Sequence, residues 1–406
     1  MPERPTGTSV VRSINARAAL RLLLDQGPLT RPEIARLLAV SKPTSSHLLA
    51  QLLDDGLVRS DGSRDGAIGR AAEVFRIDGR AGHAAAVDVT PERISAVVVD
   101  LTGTVVGSFT LSTPEGEQST AATAPDPVER VQELLEGACS SAGIPSSGLR
   151  RVVIGIQGAT DPRADRVRFA AHLPGWQREG LIASLEERLG APVDIENDVN
   201  LVVVAEHAHG AAMGHDVFAV LWVSDGIGMG VMLAGRVHRG LAGGAGEIAD
   251  LPLPGAPIPP QVNEYGASGM QALAAAPALG RLLARHGFEG ASPAAALEAA
   301  VASDAPEATT VLDEIARRLA LGLSAVVAII APELVVLAGD MAVAGGERLR
   351  ALVERHLHDS VIARPAVLLT RLDESPVLDG ARRLALARLQ EEILVAAGAP
   401  RDTRTI

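Results

Sequence analysis

The sequence predicts an α/β protein in two parts: a winged helix-turn-helix followed by a two-lobed body. Two observations predict it. Over residues 13–77, a helix, a capped short helix, a tight turn, a third helix and a pair of strands follow in order. From His83 onward one β-hairpin pattern occurs twice, each time with a later apolar strand that ends in glycine. The expected division is 1–80 for the head, 81–212 for the first lobe and 213–406 for the second.

In the head, residues 15–26 place Ala16, Ala19, Leu20, Leu23 and Leu24 at helical spacing, and Gly27-Pro28 ends the run. Thr30-Arg31-Pro32-Glu33 is a capping box with proline in the first turn. Ile34, Leu37 and Leu38 form the apolar face of this second helix. Ser41 can cap a third helix that runs to Asp55, with Gly56 placed for a left-handed stop. Leu49, Leu52 and Leu53 are expected inside. Lys42, Thr44, Ser46, His47 and Gln51 are expected outside, where short hydroxyls and one cation suit phosphate and base edges in a major groove. Lys42 is the only lysine in the chain. Residues 57–59 and 74–77 read as strands, and the Gly-, Asp- and Arg-rich stretch between them reads as a wing. Arg64 and Arg70 are its expected DNA contacts.

In the body, the run 84–89, a turn and the run 94–99 form the first hairpin, and residues 218–223 and 228–233 form the second. Residues 152–155 and 334–339 are the matching strand-and-glycine segments. Duplicated hairpin lobes with helical crossovers define an actin-like, ribonuclease-H-like fold with a ligand cleft between the lobes. Residues 111–127 read as an exposed loop.

Charge is divided along the chain. Residues 1–80 hold 12 basic and 9 acidic residues, against 25 and 40 in the remainder. A basic head on an acidic body is the asymmetry expected when only the head meets phosphate. No apolar run reaches the eighteen residues of a membrane span, and the N-terminus lacks the apolar core of a secretory signal. The one cysteine, Cys139, excludes an internal disulfide and fits a cytoplasmic setting.

Five further segments, in order, carry a resemblance. They are Gly155 to Pro162, His172 to Trp176, Glu196-Asn197-Asp198-Val199-Asn200, the glycine-rich run from Gly226 through Gly246-Glu247-Ile248, and Pro332 to Asp340. With them the chain resembles the ROK family of repressors, open reading frames and kinases, and most of all its repressor branch. The resemblance covers nearly the whole chain and implies a sugar-kinase fold. It implies that Asp198 stands where kinases of the family keep the base for a sugar hydroxyl. It also implies that Asn197, Glu247 and Glu264 bind neighbouring hydroxyls. Read from the residues alone, Asn197-Asp198 is equally a helix N-cap.

Three departures from the family pattern concern catalysis. Where family kinases carry Asp-x-Gly-Gly-Thr to cradle phosphate, this chain has Asp88-Val89-Thr90-Pro91-Glu92-Arg93. Proline removes a backbone donor there and Glu92 adds negative charge. The family's Gly-Thr-Gly is Ser224-Asp225-Gly226 here. Asp250 replaces the family's zinc-binding histidine, and a proline-rich stretch replaces its cysteine run, so no zinc site is expected. Asp250 is instead expected to bind the sugar. No catalytic residue, metal or cofactor is expected.

Three readings remain. The first is a sugar-responsive repressor of carbohydrate genes that binds palindromic operator DNA as a homodimer or homotetramer. The second is an ATP-dependent sugar kinase that retains a DNA-binding head. The third is a DNA-binding regulator with a vestigial pocket and a protein input. The phosphate-loop substitutions favour the first over the second.

Overall fold

A computed structural model describes residues 7–64, 71–113, 126–161, 166–168, 173, 175–257, 268–373 and 375–398. The head comprises α1 (Gly7–Gln26), β1 (Leu29–Thr30), α2 (Arg31–Leu37), α3 (Lys42–Asp54), β2 (Val58–Arg64) and β3 (Ala72–Ile77). Its sheet has the order β1-β3-β2. The capping box forms, with the Thr30 N–H donating to Glu33 Oε2 at 2.7 Å. The turn into α3 passes through Ala39 in the left-handed region (φ 53°), and Ser41 caps α3 through the Thr44 amide at 3.3 Å. Two expected core residues lie outside instead: Leu37 is 38% exposed and Leu53 is 37% exposed. The seven-residue α2 has a narrow apolar face, filled by Ile34 and Ala35. On α3, Leu48 rather than Leu53 completes the stripe with Leu49 and Leu52. Beneath the hairpin Phe75 is fully buried, and the Arg31 guanidinium stands over its ring at 5.5 Å.

The body contains two sheets of one topology. The first lobe has β4 (His83–Val89), β5 (Arg93–Asp100), β6 (Val105–Ser112), α4 (Pro127–Ala142) and β7 (Leu149–Ile156). It continues with β8 (Ala159–Asp161), β9 (Arg166–Arg168), α5 (Leu181–Leu189), β10 (Val193–Asn197) and α6 (Asp198–His209). The second has β11 (Phe218–Val223), β12 (Ile227–Leu233), β13 (Arg236–Val237), α7 (Gly269–Ala274), α8 (Ala276–Arg285) and α9 (Pro293–Val301). It ends with α10 (Pro306–Ile330), β14 (Leu334–Ala338), α11 (Asp340–Ser360) and β15 (Ala366–Leu369), followed in the chain by α12 (Pro376–Ala397). The sheet orders, β6-β5-β4-β7-β10 and β13-β12-β11-β14-β15, are the same arrangement twice. In each, three antiparallel strands are extended by two parallel ones. β8 and β9 form a separate pair. Among the described residues no helix is long and apolar enough to cross a membrane.

Two helices tie these units together. Helix α12 follows the second lobe in sequence, yet it packs on β4, β7 and α6 of the first lobe and against α1 of the head. Its Leu389, Ile393 and Leu394 share one apolar cluster with Leu20 and Leu23 of α1. Arg17 and Arg21 of α1 reach Glu391 at 2.9 and 3.5 Å, while Arg150 of β7 bonds Glu392 at 2.7 Å. Helix α6 in turn crosses onto β12 of the second lobe. The glycines of β12 permit this approach: a Cβ on Gly230 would lie 2.4 Å from Val203 Cγ2 and 2.9 Å from the Val199 carbonyl oxygen. Replacing Gly230 with valine is therefore expected to destabilise the chain by about 3 kcal/mol through overpacking. A thermal-unfolding midpoint equal to that of the parent protein would contradict this.

Candidate ligand cleft and nucleic-acid interface

The cleft is built where parallel strands of the first lobe end. Asp88, Gly155 and Glu196 are register partners across β4, β7 and β10, so they share one sheet face. A Cβ on Gly155 would touch Leu201 and Val377, which identifies that face as the one covered by α6 and α12. The first turn of α6 lies directly above. Asn197 is the N-cap: its Oδ1 accepts from the Asn200 amide at 3.0 Å, and its Nδ2 donates to the Gly158 carbonyl at 3.1 Å. Asp198 is the first helical residue, and its Oδ1 accepts from the Val199 amide at 2.8 Å. Capping of α6 therefore falls to Asn197 and not to Asp198.

The second lobe supplies the opposite wall. The glycine-rich loop after β13 is closed by the Ala245 amide on the Arg239 carbonyl (3.2 Å) and anchored by the Met229 amide on the Gly246 carbonyl (3.1 Å). It carries Glu247 into the cleft, where the residue keeps an exposed edge while its carboxylate is crowded by neighbouring groups. Asp250 follows, with its Oδ1 accepting from the Ser268 hydroxyl at 3.0 Å. The two walls are joined by a contact that sequence reading missed. The Glu196 carboxylate, 8% exposed, accepts from Arg239 Nε at 2.6 Å and from Asn200 Nδ2 at 2.9 Å. The only signal for Glu196 was its place beside Asn197-Asp198.

The carboxylates act on one another. Burial pushes Asp198 up to about 7, with repulsion from Asp88 and Glu247 adding to it. Burial raises Asp88 to about 6 against the pull of Arg93, and burial and Asp250 raise Glu247. Because Asp198 ionises more readily in the unfolded chain, the folded state holds the extra proton between its unfolded and folded pKa values. Its contribution to stability is therefore full at low pH and falls as pH rises from about 4 to 7. Asp198→Asn is expected to raise the melting midpoint at pH 8 and leave it nearly unchanged at pH 4. An equal shift at both values would contradict the assignment.

The phosphate-binding positions are arranged differently from an open cradle. At the β4–β5 turn the Thr90 amide donates to the Arg93 carbonyl (2.9 Å) and the Arg93 amide to Thr90 Oγ1 (3.2 Å), while Pro91 has no donor. At 224–226 the Ser224 amide donates to the Gly226 carbonyl (2.9 Å), and Gln271 Nε2 holds the Asp225 carbonyl (2.9 Å). The Asp225 side chain is exposed. The residues do not fit the zinc site implied by the family: Asp250 is engaged by Ser268, and Cys139 is buried in the apolar core of the first lobe. Glu264 lies outside the described residues.

On the head, Lys42, Thr44 and His47 are exposed along α3, and Ser46 and Gln51 are half-buried beside them. The Thr44 hydroxyl shares a 2.8 Å hydrogen bond with Ser41 Oγ. Arg64 ends β2 next to α2, with Nη1 3.7 Å from Glu33 Oε1. Arg70 lies outside the described residues.

The ROK family model matches residues 84–388, three-quarters of the chain. The chain belongs to the ROK family. Its head matches the bacterial regulatory protein, arsR family, over residues 15–60. The xylose repressor of Bacillus subtilis (strain 168) is 25% identical over 247 residues, which is 59% of this chain and 61% of that relative. The chain thus spans about three-fifths of the length of the curated relatives it matches. Among solved structures, a ROK hexokinase from Thermus thermophilus is 29% identical with a TM-score of 0.62, covering 76% of this chain and 99% of that one. A ROK family transcriptional regulator, described as a homolog of the E. coli MLC protein, has a TM-score of 0.71 at 19% identity. It covers 96% of this chain and 99% of that one, so the shared fold extends through the head.

Proposed function

We propose that this ROK protein is a sugar-responsive transcriptional repressor that works in the cytoplasm on palindromic operator DNA as a homodimer or homotetramer. The observation that carries the reading is the position of α12. It touches α6, whose first turn holds Asn197 and Asp198, and it touches α1 of the helix-turn-helix head. A sugar held by Asn197, Asp198, Glu247 and Asp250 draws the two walls together and shifts α6. The head then follows α12. Such coupling regulates only if the sugar binds the two arrangements with different affinity. Lys42, Thr44, Ser46, His47 and Gln51 meet the major groove, and Arg64 and Arg70 meet the flanking backbone or minor groove.

A kinase reading draws support from Asp198, whose raised pKa suits a general base. The self-closed turn at Thr90–Arg93 weighs against it, because it leaves only Glu92 in that turn with an amide free for phosphate. The experiment is operator selection from random duplex DNA, followed by fluorescence anisotropy with D-xylose, D-glucose and N-acetylglucosamine, and a parallel assay for ATP-dependent sugar phosphorylation. At least tenfold weakening of DNA binding by one sugar, without phosphorylation, is expected. Sugar phosphorylation would establish the kinase reading, and indifference of DNA binding to every sugar would remove the sugar-responsive one.

A further inference from the structure

The side chain of Arg239 is not needed for the loop that bears it. That loop is closed and anchored by backbone bonds, from the Ala245 amide to the Arg239 carbonyl and from the Met229 amide to the Gly246 carbonyl. Beyond it, Asp250 is held by Ser268. The Arg239 guanidinium crosses instead to the first lobe, where its Nε donates to Glu196 Oε2 at 2.6 Å. The other oxygen of that carboxylate accepts from Asn200 Nδ2 at 2.9 Å and from the Asn197 amide at 3.0 Å. Asn200 stands in the first turn of α6 and is 2% exposed, and its Oδ1 has no hydrogen-bond partner among the described residues. An unmet buried acceptor is costly, and turning the amide over would set its oxygen against the carboxylate, so the bond to Glu196 fixes its orientation. Arg239, Glu196 and Asn200 thus form a chain of hydrogen bonds from the glycine-rich loop to α6.

A second polar tie lies at the far end of the same helix. Glu206, fully buried, accepts from the Thr370 hydroxyl just beyond β15 and from the Ala211 amide at 2.6 Å. Between the two ties α6 meets the second lobe through Val199 and Val203, which rest on the glycines of β12. Apolar contact of this kind is non-directional, whereas hydrogen bonds to charged groups fix position. Only the first tie ends on the loop that carries Glu247. From this geometry we infer that Arg239 is a positioning residue. Through Glu196 and Asn200 it passes displacement of the glycine-rich loop to the first turn of α6, while the Glu206–Thr370 end acts as the pivot. It touches no ligand itself. This inference rests on the sugar-responsive reading proposed above and names the link by which the second-lobe wall reaches α12 and the head.

The test uses the full chain with D-xylose, D-glucose and N-acetylglucosamine. Calorimetry reads sugar binding, and anisotropy reads the factor by which saturating sugar weakens operator binding. Arg239→Ala is expected to bind sugar within about threefold of the parent protein while that factor falls about tenfold. Arg239→Lys, which keeps a cation for Glu196, is expected to recover most of it. Arg239→Ala leaves a buried carboxylate unpaired. The Glu196→Gln, Arg239→Ala double variant therefore serves where the single one fails to fold, and the same loss is expected of it. Hydrogen exchange without sugar adds a readout independent of the ligand. In either variant, peptides covering 198–203 should exchange about tenfold faster, and those covering 206–212 at the parent's rate. A parent-like factor, or parent-like exchange at 198–203, would overturn the relay. Sugar binding lost in proportion to the response would also overturn it, and would place Arg239 in the ligand wall. Faster exchange at 198–203 in a chain whose DNA binding ignores every sugar would overturn the sugar-responsive reading and leave the tie from Arg239 to Asn200 as structure alone.

Discussion

Replacing Asp198 with alanine is expected to abolish the release of operator DNA by sugar while leaving DNA affinity within twofold of the parent protein. The side chain is the first helical residue of α6, not its cap, so the helix start survives its loss. What disappears is the carboxylate that, in the function proposed above, accepts a sugar hydroxyl. A hydrogen bond to a charged group contributes roughly 1.5–3 kcal/mol, so sugar affinity should fall about ten- to a hundredfold. Asn197→Ala is the informative companion, because it removes the cap and the Gly158 bond together and should lower the melting midpoint as well. Sugar titrations of the protein–DNA complex read both. If the Asp198→Ala protein releases DNA at the parent's sugar concentration, the residue has no part in ligand binding.

The second large effect concerns the head. The Lys42→Ala, His47→Ala double variant is expected to weaken operator binding at least tenfold. The dependence of binding on salt should become shallower by about one unit for each protomer bound. Lys42 occupies the first position of α3 and is exposed, on the end of the helix that the proposed function places in the groove. Ser45, Leu48, Leu49 and Leu52 anchor this helix from the other side, so both substitutions leave the core intact. Anisotropy at several salt concentrations separates the phosphate contact from base reading. An unchanged salt slope would show that Lys42 does not meet a phosphate.

The parts of this molecule that were legible in advance are those specified by neighbours in the sequence. Ser41, Thr30 and Gly56 act within a few residues of where they stand, and the helices they delimit follow. The doubled sheet was legible because the chain states the pattern twice. Burial on short helices was less so: Leu37 and Leu53 are apolar and in nearly the right phase, but a few residues cannot show where a stripe ends. Long-range pairings left no mark. Glu196 and Arg239 are 43 positions apart, and nothing local tells an arginine in a glycine-rich loop which carboxylate it meets. Asp88 looked like the remnant of a phosphate motif. Its position beneath α6 depends on the register of three strands. The same holds for α12, which follows the second lobe in sequence and joins the first in space.

That placement of α12 has a consequence for biosynthesis. The first lobe cannot bury the faces of β4 and β7, nor can α1 find its partner, until the ribosome has passed residue 397. At roughly 5–20 residues per second, the growing chain waits on the order of ten to forty seconds between β10 and α12 with this apolar surface open. Messages cut short before α12 should therefore yield aggregating or degraded chains rather than free DNA-binding heads, and a cell would be spared a regulator that occupies its operators deaf to any signal.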